Sequence, residues 1–236
     1  MNFDEIIYSA IPNPDPYLVG YADMENLLAR VYRPFRYAVV VGRRLEDDII
    51  DSVHAGPTPQ YSAMYHQVNR ELSDVVTAMA KALSNEGIHS LPISPTVSDS
   101  ELTKDFLQTL RLDFSHKMVA TRAGIGWIGK TDLLISLKFG PRLRLASILV
   151  DYAIPNPGTP IVDNSCGHCD ACVRACPAQA ATGMGWRAGI DRDEFFNAFK
   201  CREKCRELSQ KRLNERISLC GICVSVCPVG KTKQEH

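Results

Sequence analysis

Apolar positions in the first 160 residues follow helical spacing in some stretches and strand-like spacing in others. Between residues 61 and 86 they recur every three or four positions, which predicts one apolar face of the longest helix, ended by Gly87. The continuous apolar run at 37–41 predicts a strand buried on both faces. The apolar face of the long helix comprises Tyr65, Val68, Leu72, Val76, Met79 and Leu83.

Shorter patterns complete the first 160 residues. We expect residues 1–20 to be loosely structured and Asp23 to cap a short helix that Pro34 ends. A helix over 98–110 would be capped by Ser98 or Asp99. Together these patterns predict an α/β sandwich around one sheet. The remaining predicted helices are 46–53 and 116–123, and the remaining predicted strands are 88–93, 133–136 and 143–150.

The cysteines divide the chain, because all nine follow residue 165. The segment 151–160 is rich in proline and glycine, as connectors are. We therefore predict a cysteine-free domain over 1–160 and a cysteine-rich domain over 161–236, each of an ordinary size. In the second domain, 193–208 reads as a helix between the cysteine motifs.

Charge and composition exclude several classes of protein. The formal net charge is zero, so no global basic field favours a nucleic-acid partner. The first residues carry acids and prolines where a signal peptide needs a basic start and an apolar core. No apolar run reaches membrane-spanning length. We therefore expect a protein of the reducing cytoplasm.

Two cysteine motifs carry the chemistry. The first is Cys166-x2-Cys169-x2-Cys172-x3-Cys176-Pro177, and the second is Cys220-x2-Cys223-x3-Cys227-Pro228. The first spacing is that of bacterial ferredoxins, in which three cysteines hold one [4Fe–4S] cluster and the fourth ligates the other. Two such motifs predict two clusters with crossed ligation.

The predicted ligands can be assigned to each cluster. The first cluster would take Cys166, Cys169, Cys172 and the distant Cys227, and the second would take Cys220, Cys223 and the distant Cys176. Either Cys201 or Cys205 supplies the eighth thiolate, because the second motif is one cysteine short. Structural zinc sites usually use separated cysteine pairs, and disulfide frameworks need an even count and a secretory context. Both alternatives fit this sequence less well than two clusters.

A glycine motif spans Gly124, Gly126, Trp127, Gly129, Lys130 and Thr131. It fits both the dinucleotide G-x-G-x-x-G and the P-loop G-x-x-x-x-G-K-[ST] patterns. Both patterns require a strand before the glycines and a helix after them, but here a helix is predicted before and a strand after. A nucleotide-driven P-loop protein is therefore the weakest hypothesis. Two further interpretations stay open: a cofactor wall in which Lys130, with Arg142 and Arg144, pairs with an anionic group, or a tight helix-to-strand turn packed by Trp127.

The chain resembles the epoxyqueuosine reductases, with the reductive dehalogenases as larger relatives. The resemblance rests on His116-Lys-Met-Val-Ala120, on Ala123-Gly-Ile-Gly-Trp-Ile-Gly-Lys130, on Tyr65-His66 and on the order of the cysteine motifs. It implies a flavin nitroreductase-like domain, related to cobalamin-processing proteins, followed by a ferredoxin-like two-cluster domain, with cobalamin between them. It also favours Cys201 as the eighth ligand, because Asn197-Ala-Phe-Lys-Cys201 resembles the family's Asp-Ala-x-x-Cys.

The resemblance has two departures. Leu110 stands where the family carries its catalytic Asp, Asp113 is out of register, and His116-Lys117 replaces Glu-Arg. The chain also ends soon after Cys227, without the helical repeats that help these enzymes hold tRNA. We therefore expect an oxidoreductase whose reaction is not the reduction of epoxyqueuosine in tRNA.

The function hypothesis is an iron–sulfur redox protein that passes electrons to a cofactor, cobalamin first and flavin second. Tyr65 and His116 are candidate polar groups beside that cofactor, together with the glycine motif. The alternative is a non-enzymatic ferredoxin-type electron carrier. The electron donor would be a ferredoxin or flavodoxin, and the nine basic and six acidic residues between 187 and 216 form either its docking face or an ordinary solvated surface.

Overall fold

The computed structural model describes residues 2–97 and 102–231, which form two compact units. Of the described residues, the first unit contains 2–44, 67–97, 102–125 and 144–161, and the second contains 45–66, 126–143 and 162–231. Each unit is thus assembled from separate stretches of chain. The segment predicted to be a connector belongs to the first unit, where the Gly158 amide donates to the Tyr21 carbonyl (2.8 Å) and the Ile161 amide to the Thr121 carbonyl (2.9 Å). A division into domains at residue 160 stays a prediction.

The helices and strands of the described residues are numbered here in chain order. The helices are α1 Phe3–Ser9, α2 Asp47–Asp51, α3 Pro59–Asn85, α4 Lys104–Thr109, α5 His116–Arg122, α6 Ala171–Arg174, α7 Arg192–Phe195, α8 Ala198–Leu213 and α9 Ile222–Val226, with a 3-10 turn at Arg30–Tyr32. The strands are β1 Tyr17–Asp23, β2 Tyr37–Arg44, β3 Ser90–Ile93, β4 Gly126–Ile128, β5 Leu134–Ser136 and β6 Leu143–Val150.

A four-stranded sheet forms the centre of the first unit, in the order β1-β2-β6-β3. The β1–β2 and β3–β6 pairs are antiparallel. Strand β3 lies at an edge, where Pro92 does not interrupt the sheet as it would in a central strand. Helix α5 packs against β1 and β2. The mixed α/β class predicted from the sequence is therefore confirmed.

The strongest apolar patterns predicted their elements well. Residues 38–41 are fully buried, as expected for a strand covered on both faces. The long helix α3 runs from Pro59 to Asn85, and Gly87 follows it with φ +75°. The Ile88 amide closes this helix end by donating to the Leu83 carbonyl. The predictions for α2, α5, β5 and β6 are confirmed within a residue or two.

The prediction for residues 1–34 was wrong. Helix α1 forms because Asn2 and Glu5 make a reciprocal capping box, and β1 follows the alternating prolines. Asp23 does not cap a helix. It ends β1 and binds Arg36, with 2.7 Å between Asp23 Oδ2 and Arg36 Nη2. Local polar contacts therefore decide this region, and an apolar pattern does not record them.

Two further helices differ from their predicted extent. Helix α4 is shorter than predicted and is capped by Thr103, whereas Ser98 and Asp99, the caps predicted for it, lie outside the described residues. The helix predicted at 193–208 is split into α7 and α8. Phe196 adopts an extended conformation between them and pairs with Ala181, and Asn197 then caps α8. Within residues 2–97 and 102–231, no helix is long and apolar enough to cross a membrane.

Candidate iron–sulfur centre

Three helices carry four of the nine cysteines of the second unit. Helix α6 carries Cys172, helix α9 carries Cys223, and these two helices pack against each other. Helix α8 carries Cys201 and Cys205, one turn apart. In both Cys169-x2-Cys172 and Cys220-x2-Cys223 the helix begins two residues after the first cysteine, although Asp170 and Gly221, which precede the helices, differ in φ (−131° and +87°).

The first group of thiols combines both motifs. Cys172 interacts electrostatically with Cys166 and Cys169, and Cys227 interacts with all three. Burial raises the pKa of the Cys227 thiol, and repulsion from the other three raises it further. The distant Cys227 therefore lies beside the three cysteines with which crossed ligation requires it to be grouped.

The second group of thiols is arranged around Cys223. Burial raises the pKa of this thiol, and the nearby Cys220, Cys201, Cys172 and Cys176 raise it further. Cys176, from the first motif, thus approaches the second motif, which is the reciprocal half of the predicted exchange. Cys172 interacts with members of both groups, so the two groups are neighbours within this unit.

Cys205 is buried and lies next to two members of the second group. Its sulfur is 3.9 Å from that of Cys201, and it also hydrogen-bonds to Cys220. That hydrogen bond lowers the pKa of Cys220 to about 7. The bond from Cys205 likewise lowers the pKa of Cys201, while both bonds raise that of Cys205. Cys201 and Cys220 are thus the thiols more readily ionised, and the single S–H of Cys205 lies within reach of both sulfurs.

The thiol geometry fits clusters better than the alternative sites. All nine cysteines are free, and the 3.9 Å between Cys201 and Cys205 sulfurs is nearly twice a disulfide bond length of about 2 Å. In the described part of the chain, no three His, Cys, Asp or Glu side chains converge on one point that could hold a single metal ion. A tetrahedral zinc site requires such convergence, whereas a cubane spreads its thiolates around several iron atoms.

The glycine motif forms a helix end and a hairpin, not a phosphate loop. Gly124, with φ +71°, ends α5 in a Schellman arrangement, since its amide donates to Thr121 and the Ile125 amide donates to Ala120. Strand β4 then pairs antiparallel with β5, and no helix begins in the motif. The order of elements needed by a P-loop is therefore absent at residues 124–131.

The tip of this hairpin faces the first cysteine motif. Trp127 donates from Nε1 to the Cys166 sulfur (3.3 Å), and Lys130 donates from Nζ to the Gly167 carbonyl (3.0 Å). Both side chains are buried, at 7% relative exposure each. Thr131 hydrogen-bonds to the Cys172 thiol, although burial is the larger influence and raises the pKa of that thiol. The turn interpretation of the glycine motif therefore describes its backbone, and Trp127 contacts Cys166, a predicted cluster ligand.

Arg142 is fully buried and already paired. Its guanidinium bonds the carboxylates of Asp47 (3.0 Å) and Asp51, both from α2, and reaches the Ser225 carbonyl of α9 (3.4 Å). Arg142, predicted to pair with an anionic group of a cofactor, therefore already has Asp47 and Asp51 of its own unit as counter-charges.

Tyr65 and His116 lie in different units. The Tyr65 ring packs edge-on against His66 in the second unit. In the first unit, His116 donates from Nε2 to the Ser94 carbonyl (3.0 Å), so its Nδ1 accepts from the Ser147 hydroxyl (2.9 Å). Burial lowers the pKa of His116 to about 4, so the ring is neutral at pH 7. Contact of these residues, or of Gly124, Gly126, Gly129, Lys130 and Arg142, with a cofactor stays a prediction.

Sequence reasoning missed three contributors to the site. The Asn164 side chain accepts from the Cys166 amide (3.2 Å), Thr131 bonds Cys172, and the Ala180 amide approaches the Cys176 sulfur (3.5 Å). An Asn two residues before the first cysteine is the usual signal of an Asx turn. Nothing local identifies Thr131, because its partner is distant in the chain.

Comparisons with known proteins agree with this geometry. Residues 165–230 match a family model described as a 4Fe-4S double cluster binding domain. An epoxyqueuosine reductase of Listeria monocytogenes is 34% identical over 126 residues, which cover 52% of this chain and 32% of that protein. The chain spans about a third of the length of the curated relatives it matches. The predicted iron–sulfur redox role is therefore confirmed, while the reaction of those longer proteins does not transfer with the match.

Solved structures show the same fold at low identity. One is a reductive dehalogenase whose structure suggests a mechanism for B12-dependent dehalogenation, with a TM-score of 0.65 and 17% identity over 92% of this chain and 30% of its own. Another is the epoxyqueuosine reductase from Streptococcus thermophilus, with a TM-score of 0.60 and 19% identity over 98% of this chain and 67% of its own. The predicted resemblance is confirmed: this chain is similar to epoxyqueuosine reductases in sequence and to both enzyme groups in fold, with a 4Fe-4S double-cluster segment.

Proposed function

We propose that this chain is an iron–sulfur redox protein in which two [4Fe–4S] clusters pass electrons to a cobalamin held by residues 1–160. One observation carries the proposal: the thiols form two neighbouring groups that exchange Cys227 and Cys176 between the motifs. The clusters, when bound, supply one-electron transfer. The protein binds them, positions them and sets their potentials.

The proposed ligands are the eight thiols of these two groups. Cys166, Cys169, Cys172 and Cys227 hold the first cluster, and Cys176, Cys201, Cys220 and Cys223 hold the second. Cys201 is preferred over Cys205 because it interacts with both Cys220 and Cys223. Cys205 is the ninth cysteine and remains a thiol.

The first cluster is the proposed entry point for electrons. Cys169 is exposed, and no residue from 166 to 176 is buried. An external donor needs such an approach, and a ferredoxin or flavodoxin fits it. Because thiolate-held clusters suit reducing conditions, the proposed location is the cytoplasm.

Cobalamin is the proposed acceptor on the strength of the relatives. The reductive dehalogenase that shares this fold is described as B12-dependent, and we extend that to the first domain here as a flavin nitroreductase-like, cobalamin-processing-like fold. Reduction of epoxyqueuosine in tRNA is not proposed. Leu110, where those enzymes carry their Asp, is the left-handed C-cap of α4, and Asp113 is exposed beyond it.

An anaerobic titration of the iron-reconstituted chain with cob(II)alamin, followed by EPR, tests the proposal. We expect stoichiometric binding with a base-off cobalt signal. Titration with FMN, followed by absorbance, is run alongside. Stoichiometric FMN binding without a change in the cobalt signal would replace cobalamin with flavin.

If neither cofactor binds while both clusters are reduced normally, the cobalamin proposal is wrong. The chain would then be a ferredoxin-type electron carrier. This second function is supported by the location of the thiols: an electron carrier needs only the two clusters, and all of their proposed ligands lie in the second unit.

A further inference from the structure

The tip of the β4–β5 hairpin places three polar side chains against one cysteine motif. Trp127 bonds the Cys166 sulfur, Lys130 bonds the Gly167 carbonyl, and Thr131 bonds the Cys172 thiol. All three are buried. The glycine motif, whose sequence matches the P-loop pattern, thus directs its hydrogen-bond donors at the sulfurs of Cys166 and Cys172 and at the Gly167 carbonyl between Cys166 and Cys169.

The hairpin backbone makes this placement rigid. The Asp132 amide donates to the Gly129 carbonyl (3.0 Å), and Asp132 has φ +58°, which is the pattern of a three-residue loop with a left-handed last residue. Gly126 lies so close to β5 that a Cβ on it would stand 2.3 Å from the Ile135 carbonyl oxygen. Because the two strands are this close, the backbone positions from which the Trp127 and Lys130 side chains extend are fixed.

The Trp127 contact has an electronic consequence. An indole N–H is a donor without an acceptor function, and here it points at a predicted ligand sulfur. Hydrogen bonds to cluster sulfurs favour the reduced, more negative cluster and therefore raise its reduction potential.

Lys130 adds a positive charge at the same place. Its ammonium group is buried and bonds the carbonyl of Gly167, the residue that follows Cys166. A cation near a cluster favours the added electron, since charges interact more strongly in a buried site than in water. The same bond holds the loop between Cys166 and Cys169.

We infer that Trp127, Lys130 and Thr131 are positioning residues for the first cluster, which hold its ligand loop and raise its reduction potential above the value it would have without them. This inference rests on the proposed ligands of the first cluster. It does not depend on whether cobalamin binds.

The test is an EPR-monitored anaerobic redox titration of the reconstituted chain and its Trp127→Phe variant. We expect the equilibrium constant for reduction of the first cluster to fall about three- to tenfold in the variant. For a one-electron couple this makes the reduction potential about 30 to 60 mV more negative. The second cluster should keep its potential. Cys201→Ser, expected to retain the first cluster alone, assigns the signals.

The controls separate a direct effect from a loss of packing. Trp186→Phe changes the chain's other tryptophan and should leave both potentials unchanged. Lys130→Met should shift the first cluster in the same direction as Trp127→Phe, and Lys130→Arg should restore much of the difference because it keeps the charge. Loss of iron from the first cluster alone in Trp127→Phe would support the holding role.

An unchanged potential in Trp127→Phe, with iron content intact, overturns the inference about Trp127. If that variant does not fold, Lys130→Met and Lys130→Arg decide, and equal potentials in these two overturn it. Failure of the proposed function looks different: the unaltered chain would then either not assemble two clusters or assemble both without binding cobalamin, and neither result is a change of potential between the unaltered chain and Trp127→Phe.

Discussion

The two cysteine motifs have related spacings but contrasting surroundings. In the first, no residue from 166 to 176 is buried and Cys169 is exposed, whereas in the second, Gly221, Ile222, Val224 and Ser225 are all buried. The first motif is held by polar contacts from the β4–β5 hairpin. The second is held by packing of α9 against α2, in addition to the α6–α9 contact that the two motifs share.

This difference shows that the spacing of the cysteines predicts the local turn but does not predict which contacts from the rest of the fold hold that turn in place. Gly167 and Gly221 each follow the first cysteine of their motif, yet a Cβ at Gly167 would meet nothing within 4 Å, whereas one at Gly221 would contact Tyr61 and Val53. The first motif is accessible to solvent and held by polar side chains, which suits the cluster at which electrons enter. The second motif is enclosed by apolar side chains, which suits the cluster farther along the electron path. The following predictions test this contrast, from the largest expected effect to the smallest.

The largest effect should come from the cysteines of α8. Cys201→Ser should lose or distort the second cluster, so iron falls from about eight toward about four atoms per chain. Cys205→Ser should leave iron at about eight, because Cys205 is not one of the proposed ligands. Iron and sulfide analysis after anaerobic reconstitution measures both. The reverse pattern would exchange the roles of these two residues.

Gly221→Ala should be far more damaging than Gly167→Ala. A Cβ at Gly221 would stand 2.6 Å from the Tyr61 ring and 2.7 Å from Val53, with φ at +87°. We expect a loss of roughly 3 kcal/mol in the free energy of unfolding, from strain and overpacking together.

Gly167→Ala is the matched control, with φ +52° and nothing within 4 Å of its Cβ. It should cost about 1 kcal/mol, from the left-handed backbone alone. Guanidinium unfolding of the reconstituted proteins compares the two variants. Equal midpoints would contradict the contrast between an open and an enclosed motif.

Arg142→Met should destabilise the enclosed motif. The arginine side chain is 1% exposed and joins α2 to the Ser225 carbonyl of α9. Its loss removes a buried cation that bonds Asp47 and the Ser225 carbonyl, which should cost about 2 to 3 kcal/mol. Asp51→Asn is the control, because Asp51 is half exposed and its removal should cost less than about 1 kcal/mol. Unfolding midpoints decide, and comparable losses would contradict the role given to Arg142.

The smallest effect lies in the first unit, away from the cysteines. His116 has a folded pKa of about 4, lowered by burial and by Arg144 against the opposing Ser94 hydrogen bond. The unfolded chain therefore binds a proton near pH 6.5 that the folded chain does not bind until near pH 4. Stability should fall by roughly 2 kcal/mol between pH 7 and pH 5 from this residue.

His116→Gln keeps a donor and an acceptor but does not titrate. The free energy of unfolding of this variant should therefore lose that part of the pH dependence, measured by urea unfolding at both pH values. An identical pH dependence in the variant and the unaltered chain would show that His116 is not responsible.

Much of the fold was predictable where burial alone decides it. Continuous apolar stretches such as 38–41 and the periodic face of α3 predicted β2, α3 and β6 well. Residues 1–34 were predicted wrongly, because a capping box at Asn2 and an ion pair between Asp23 and Arg36 determine their conformation. The break between α7 and α8 depends on a bridge from Phe196 to Ala181, which no local pattern reveals.

The sequence by itself determined the chemistry of this protein. Thiolates at ferredoxin spacing predict cluster-binding turns, since each turn is built from a few consecutive residues and needs no distant partner. The same spacing predicted crossed ligation, and the tertiary structure brings Cys227 beside Cys166, Cys169 and Cys172, but it alone decided that Trp127 and Lys130 point at the first motif. These contacts join residues about 40 to 60 positions apart, and the folded backbone alone brings such residues together.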